Sequence, residues 1–286
     1  MNRKPIYKTP EGEQAVMAVY ERLLSEWPES TESLQIETRH GRTHVLARGH
    51  KDADPLVLLH GAGSNALAWG GDVPDFARHF RVYAVDTPGE PGRSSHHRIG
   101  WRDDAIVEWL EDVVNALSES ASTQILLAGI SQGGYVALRF ASARAERVKA
   151  LALLAPGGVS QPKLSFFVRG LTYGMYGRRG ATALTRRVMG DCEVDDAAKE
   201  YMDLIYSNFR SRTDAQPLLT DSQLRALTMP VLLMLGGRDA IFDSKKTGDR
   251  FARVVGHVDI RLLPEAGHAL INVAPAMVPF LIQAAA

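Results

Sequence analysis

Gln124-Ile125-Leu126-Leu127-Ala128-Gly129-Ile130-Ser131-Gln132-Gly133 drives an apolar run into a turn, and the helix-like Tyr135-Val136-Ala137-Leu138-Arg139-Phe140 follows at once. A short, almost purely apolar run of this kind reads as a strand buried on both faces. At its end Gly129-x-Ser131-x-Gly133 holds one serine on a strand-to-helix turn. The flanking glycines permit the sharp turn and the close packing of the next helix.

The same rhythm extends in both directions. Apolar runs at 55–60, 81–86, 148–156, 230–236 and 258–264 alternate with helical patterns near 66–79, 103–119, 132–145, 244–255 and 270–283. Continuous apolar strands separated by amphipathic helices predict a parallel sheet covered on both faces. Ahead of them, alternating runs at 33–39 and 43–49 predict an antiparallel hairpin at the leading edge of the sheet. Residues 10–27 place Val16, Val19, Tyr20, Leu23 and Leu24 at helical spacing before Pro28, which predicts an amphipathic helix.

One interval, 157–225, is too long for an ordinary loop and carries helical patterns of its own. It reads as an inserted helical cap, with residues 1–156 and 226–286 as the core. Its first half is rich in apolar and aromatic residues, and Phe166, Phe167, Leu171 and Tyr173 are the expected pocket wall. The cap arginines Arg169, Arg178, Arg179, Arg186 and Arg187 read as solvated helix faces rather than as an anion site.

Composition narrows the class of function. Over 286 residues, 33 Lys and Arg balance 33 Asp and Glu, so no global field favours nucleic acid or an anionic membrane. A small, weakly charged substrate is expected. A single cysteine, Cys192, excludes an intrachain disulfide and reads as a packing residue. Charges interrupt every apolar stretch near the amino terminus, and no run reaches the length of a membrane span. The expectation is a soluble, cytoplasmic protein.

A serine hydroxyl needs a base to become a nucleophile, and the tetrahedral oxyanion that follows needs preorganised donors. The donors are expected from the loop His60-Gly61-Ala62-Gly63-Ser64, after the strand at 55–60, together with the residue after the serine. Ala62 N–H and Gln132 N–H are assigned, with Gly61 or Gly63 as alternatives to Ala62. His60 reads as ordering the loop. The base is His268, in Pro264-Glu265-Ala266-Gly267-His268 just beyond the last strand. His40, His44, His50, His79, His96, His97 and His257 fall in turns, the hairpin or helix ends and are expected to be exposed. The acid is Asp239, in Gly236-Gly237-Arg238-Asp239; its rival Asp243 suits a helix cap.

The order Ser131, Asp239, His268 with the loops above resembles the α/β-hydrolase superfamily from the hairpin to the carboxyl terminus, apart from the cap. Asp86-Thr87-Pro88-Gly89-Glu90-Pro91-Gly92-Arg93-Ser94 resembles that superfamily's Asp-x-x-Gly-x-Gly-x-Ser loop, with an insertion-like variation at Glu90-Pro91. The resemblance implies a structural role for this loop, including Asp86. The leading helix ending in Trp27-Pro28, the segment 38–45 and Gly89-Glu90-Pro91-Gly92 are similar to a bacterial carboxylesterase-like branch.

The implied fold is α/β, a mostly parallel central sheet with helices on both faces and an inserted helical cap. The implied activity is hydrolysis of a carboxylic ester through an acyl-enzyme on Ser131, without metal or organic cofactor. A serine at this turn argues against the related haloalkane dehalogenases, which use an aspartate there. Amide, lactone, thioester or carbon–carbon cleavage, or cofactor-free perhydrolysis, remains open on the same triad. So does a ligand receptor that keeps the triad.

Overall fold

A computed structural model describes residues 5–28, 30–118, 120, 122–166, 177–190 and 196–286. Among them the apolar runs become eight strands: β1 (Glu32–Ile36), β2 (Thr43–Arg48), β3 (Pro55–Leu59), β4 (Arg81–Val85), β5 (Ile125–Ile130), β6 (Val148–Leu154), β7 (Val231–Gly236) and β8 (Val258–Leu263). They form one sheet in the order β1-β2-β4-β3-β5-β6-β7-β8. β2 runs antiparallel to both neighbours, so β1 and β2 form the edge hairpin, while β4 and all later neighbours are parallel.

Successive residues of a strand point to opposite faces, and in β3 both faces are apolar. Val57 and Leu59 join one core with Trp109 and Leu110 of α3 (Ala105–Leu117), Tyr135 and Phe140 of α4 (Gln132–Ala143), and Phe251. Leu56 and Leu58 join the other with Trp69, Phe76, Met277 and Leu281. This two-sided burial is why the central strands carry no polar alternation.

Two helices depart from expectation. The pattern over 66–79 gives a 3-10 turn, Ala66–Trp69, and then a one-turn helix, α2 (Val73–Phe76). Gly70 and Gly71 separate them, and glycine is a poor helix residue. The last helix spans Ala274–Ala285 rather than starting near 270, because Asn272 takes a left-handed φ of 53° just before it.

The amino-terminal helix α1 (Pro10–Ser25) buries Val16 and Tyr20 against Tyr201, Ile205 and Phe209, a placement that periodicity could not give. A bridge between Tyr7 and Phe209 continues the seam, with Lys8 N–H donating to Asn208 O at 2.8 Å and Arg210 N–H to Ile6 O at 2.8 Å. Between β6 and β7 lie further helices at Gly177–Met189, Asp196–Asn208 and Asp221–Arg225. Leu219 and Leu224 rejoin the main core. Cys192 lies outside the described residues. Among the described residues, no helix is long and apolar enough to cross a membrane.

Candidate active site

Ser131 stands between β5 and α4 with φ 52° and ψ −108°. A non-glycine residue at such angles is strained by about 1–3 kcal/mol and persists only where its surroundings impose it. Here three backbone bonds do so. Ser131 N–H donates to Leu154 O at 2.8 Å, while its own carbonyl accepts from Tyr135 N–H at 2.9 Å and Gly157 N–H at 3.0 Å. The glycines of the motif permit the approach. A Cβ at Gly133 would stand 2.6 Å from the His60 carbonyl oxygen, and one at Gly129 would stand 2.7 Å from Gly134 N. Any side chain there would push α4 off the sheet.

Two later strand ends deliver the other groups. Past β7, Asp239 N–H bonds Gly236 O, and the turn lowers the carboxylate into a site where it is 3% exposed. Its Oδ1 accepts Ile241 N–H at 2.7 Å and Phe242 N–H at 2.9 Å, leaving Oδ2 for His268 Nδ1 at 2.9 Å. His268 Nε2 then lies 2.8 Å from Ser131 Oγ. The imidazole packs beside Phe242, with ring centroids 5.5 Å apart, and His268 N–H is tied to Val188 O at 3.1 Å. The structure therefore brings Ser131, His268 and Asp239 into one hydrogen-bonded chain. Asp243 caps the helix Ser244–Val254 instead, accepting Lys246 N–H at 3.1 Å.

In the loop after β3, His60 Nδ1 faces Gly61 O at 2.7 Å and its Nε2 accepts Thr87 N–H at 3.0 Å, so both ring nitrogens hold backbone. Gly63 N–H is already committed to Glu90 Oε2 at 2.7 Å. Among the described residues, Ala62 N–H and Gln132 N–H have no such partner. Of the pocket residues, Phe166 is half-buried, whereas Phe167, Leu171 and Tyr173 lie outside the described residues. Two residues not anticipated stand close by. Tyr206 sets its ring against Gly63, and burial, with Asp203 and Glu90 adding, pushes its hydroxyl up to about 12. Glu90 is the other, buried at 2% exposure.

The expectation that His44 is exposed is wrong: it is fully buried. His44 Nδ1 lies 3.1 Å from Asp86 Oδ2, and its Nε2 lies 2.8 Å from Ser33 Oγ. This is a second Ser-His-Asp chain in the molecule, and its serine has different surroundings from Ser131. Ser33 lies within the edge strand β1, and the Arg93 guanidinium reaches its hydroxyl at 3.4 Å. No helix amino terminus follows it to supply backbone donors. Asp86 also accepts Tyr20 O–H at 3.0 Å, Ala66 N–H at 2.7 Å and Arg93 N–H at 2.9 Å. Burial pushes its carboxyl up, but hydrogen bonds from His44 and these backbone donors outweigh burial and hold it below the usual carboxylate range. His40 is likewise half-buried, 3.1 Å from Glu108.

Comparisons with known proteins bear on the family and the fold. Residues 56–278 match the alpha/beta hydrolase family. The uncharacterized carboxylesterase nap of Bacillus subtilis (strain 168) is 32% identical over 259 residues, 88% of this chain and 85% of that protein. Carboxylesterase YbfK of the same organism is 29% identical over 261 residues, 88% of this chain and 86% of that one. The crystal structure of naproxen esterase (carboxylesterase NP) from Bacillus subtilis is similar with a TM-score of 0.82 at 28% identity, covering 96% of this chain and 98% of that one.

Proposed function

Since the chain belongs to the alpha/beta hydrolase family, we propose that it is a serine carboxylesterase acting on small, weakly charged esters, with Ser131 as nucleophile, His268 as general base and Asp239 as the acid that orients it. The observation that carries this reading is the continuous chain from Ser131 Oγ through His268 to Asp239.

The Asp239 carboxylate can only accept, so the proton between it and His268 sits on Nδ1 and Nε2 is left with a lone pair. As Ser131 Oγ attacks the ester carbonyl carbon, its proton passes to Nε2, and Asp239 stabilises the resulting imidazolium. The carbonyl oxygen becomes an oxyanion between the N–H groups of Ala62 and Gln132. Collapse breaks the bond to the alkoxide, which takes the proton from His268. Water then enters, gives a proton to His268 and attacks the acyl-enzyme, releasing the acid and restoring Ser131.

Residues 157–225 are proposed as a cap over this site, with Phe166, Phe167, Leu171 and Tyr173 shaping its acyl side. The proximity of Tyr206 to Gly63 supports a cap that reaches the oxyanion loop. The test is turnover of a series of p-nitrophenyl esters from acetate to decanoate, with a matched anilide alongside. Wild type should hydrolyse the short esters, and Ser131→Ala should lose about 10⁴-fold or more in kcat. Faster turnover of the anilide than of every ester would refute the assignment to esters, and unchanged turnover by Ser131→Ala would refute the nucleophile.

A further inference from the structure

We infer that Glu90 is a positioning residue for the oxyanion site, clamping together the two chain segments whose backbone N–H groups receive the oxyanion; this rests on the esterase reading above. One carboxylate spans both segments. Its Oε2 accepts Gly63 N–H at 2.7 Å from the loop after β3, and its Oε1 accepts the side-chain Nε2–H of Gln132, the first residue of α4, at 2.9 Å. Glu90 is itself held in a tight turn by Glu90 N–H to Thr87 O at 3.2 Å and Gly92 N–H to Glu90 O at 3.0 Å. The neighbouring Pro91 carbonyl accepts from Asn65 Nδ2 at 2.7 Å. The insertion-like Glu90-Pro91 thereby acquires a purpose.

A carboxylate has two acceptor oxygens and no donor, which matches two converging N–H groups, and charge-assisted bonds of this kind are stronger than neutral ones. Burial raises the cost of breaking either, because the group left behind cannot turn to water. Two consequences follow for the site. Gly63 N–H is withdrawn from the oxyanion, so the loop must offer the N–H of Ala62 or Gly61. The distance from that loop to Gln132 N–H is fixed by a rigid bridge. Both oxygens of Glu90 meet donors of the chain itself, so Glu90 acts through its neighbours and not on the substrate.

The full-length chain carrying Glu90→Gln, Glu90→Asp or Glu90→Ala separates bridging from charge. A glutamine has the right length: its amide oxygen can take Gly63 N–H, and its amide nitrogen can donate to Gln132 Oε1 once the Gln132 amide turns over. Aspartate keeps the charge but is a methylene too short to reach both donors. With p-nitrophenyl acetate, Glu90→Gln should keep kcat within about threefold, while Glu90→Asp and Glu90→Ala should lose about 10–100-fold with KM little changed. The rate of fluorophosphonate labelling should follow the same order, since the phosphonyl oxygen takes the oxyanion's place.

An alanine variant within about twofold of wild type in kcat, an aspartate variant faster than the glutamine one, or losses confined to KM would each overturn the inference. If Glu90→Ala does not fold, the order of the glutamine and aspartate variants still decides. A wild type that labels at Ser131 but hydrolyses no ester would sink the esterase reading alone, and the order of labelling rates would then judge Glu90.

Discussion

Ser131 combines a strained backbone with the hydroxyl proposed as nucleophile, and the two can be separated by substitution. Ser131→Ala and Ser131→Gly both remove the proposed nucleophile, but glycine alone adopts φ 52°, ψ −108° without a Cβ clash. Relief of about 1–3 kcal/mol of strain exceeds the roughly 0.4–1 kcal/mol by which glycine favours the unfolded chain. Ser131→Gly should therefore melt above Ser131→Ala in a thermal scan, and equal or reversed melting temperatures would show that the turn stores no strain. At Asp239 the isosteric change is the informative one. Asn in its place can offer an NH2 to His268 Nδ1 and so stabilise the wrong tautomer, and kcat should fall by about 10⁴-fold with KM little altered. A loss of tenfold or less would mean that the bond from His268 to Asp239 contributes orientation only.

Elements meet at buried polar joints as well as through apolar faces, and the joint at Asp86 is the most connected. It links the end of β4 to Tyr20 of α1, His44 of β2, the start of the 3-10 turn at Ala66 and the loop at Arg93. Its carboxyl is held below the usual range, so its contribution to stability is fully present above the unfolded aspartate value of about 3.9 and is lost as pH falls through the lower folded value. Asp86→Asn should thus lower the melting temperature most at neutral pH, and the deficit should shrink below about pH 4. A deficit that is constant from pH 7 to pH 3 would contradict the ionised joint. The seam of α1 and residues 5–8 on Tyr201, Ile205 and Phe209 is the second joint. It ties the amino terminus to the region proposed as the cap, so the segments at the two ends of this seam gain stability from each other.

At the scale of the molecule, what the sequence could reveal followed from local patterns. Strands β3 to β7 read clearly because two-sided burial leaves continuous apolar runs, and β1 read clearly because one-sided burial leaves alternation, whereas its hairpin partner β2 is buried on both faces. Ser131, Asp239 and His268 could be picked out as strand-end residues, although the distances among them were invisible. Long-range partners were not legible: His44 lies in a hairpin and reads as exposed until Asp86, 42 positions later, is found beside it. Glu90 stood out only as an irregularity in a loop, since its partners Gly63 and Gln132 are 27 and 42 positions away. The helix expected over 66–79 failed for a local reason, Gly70-Gly71, that the apolar pattern concealed.

The presence of two Ser-His-Asp chains in one molecule makes the central claim directly measurable. A fluorophosphonate probe, followed by proteolysis and mass spectrometry of the adduct, reports which serine is activated. One adduct on Ser131, absent from Ser131→Ala, is the predicted result; no adduct on Ser131, or one on Ser33 instead, would contradict the account.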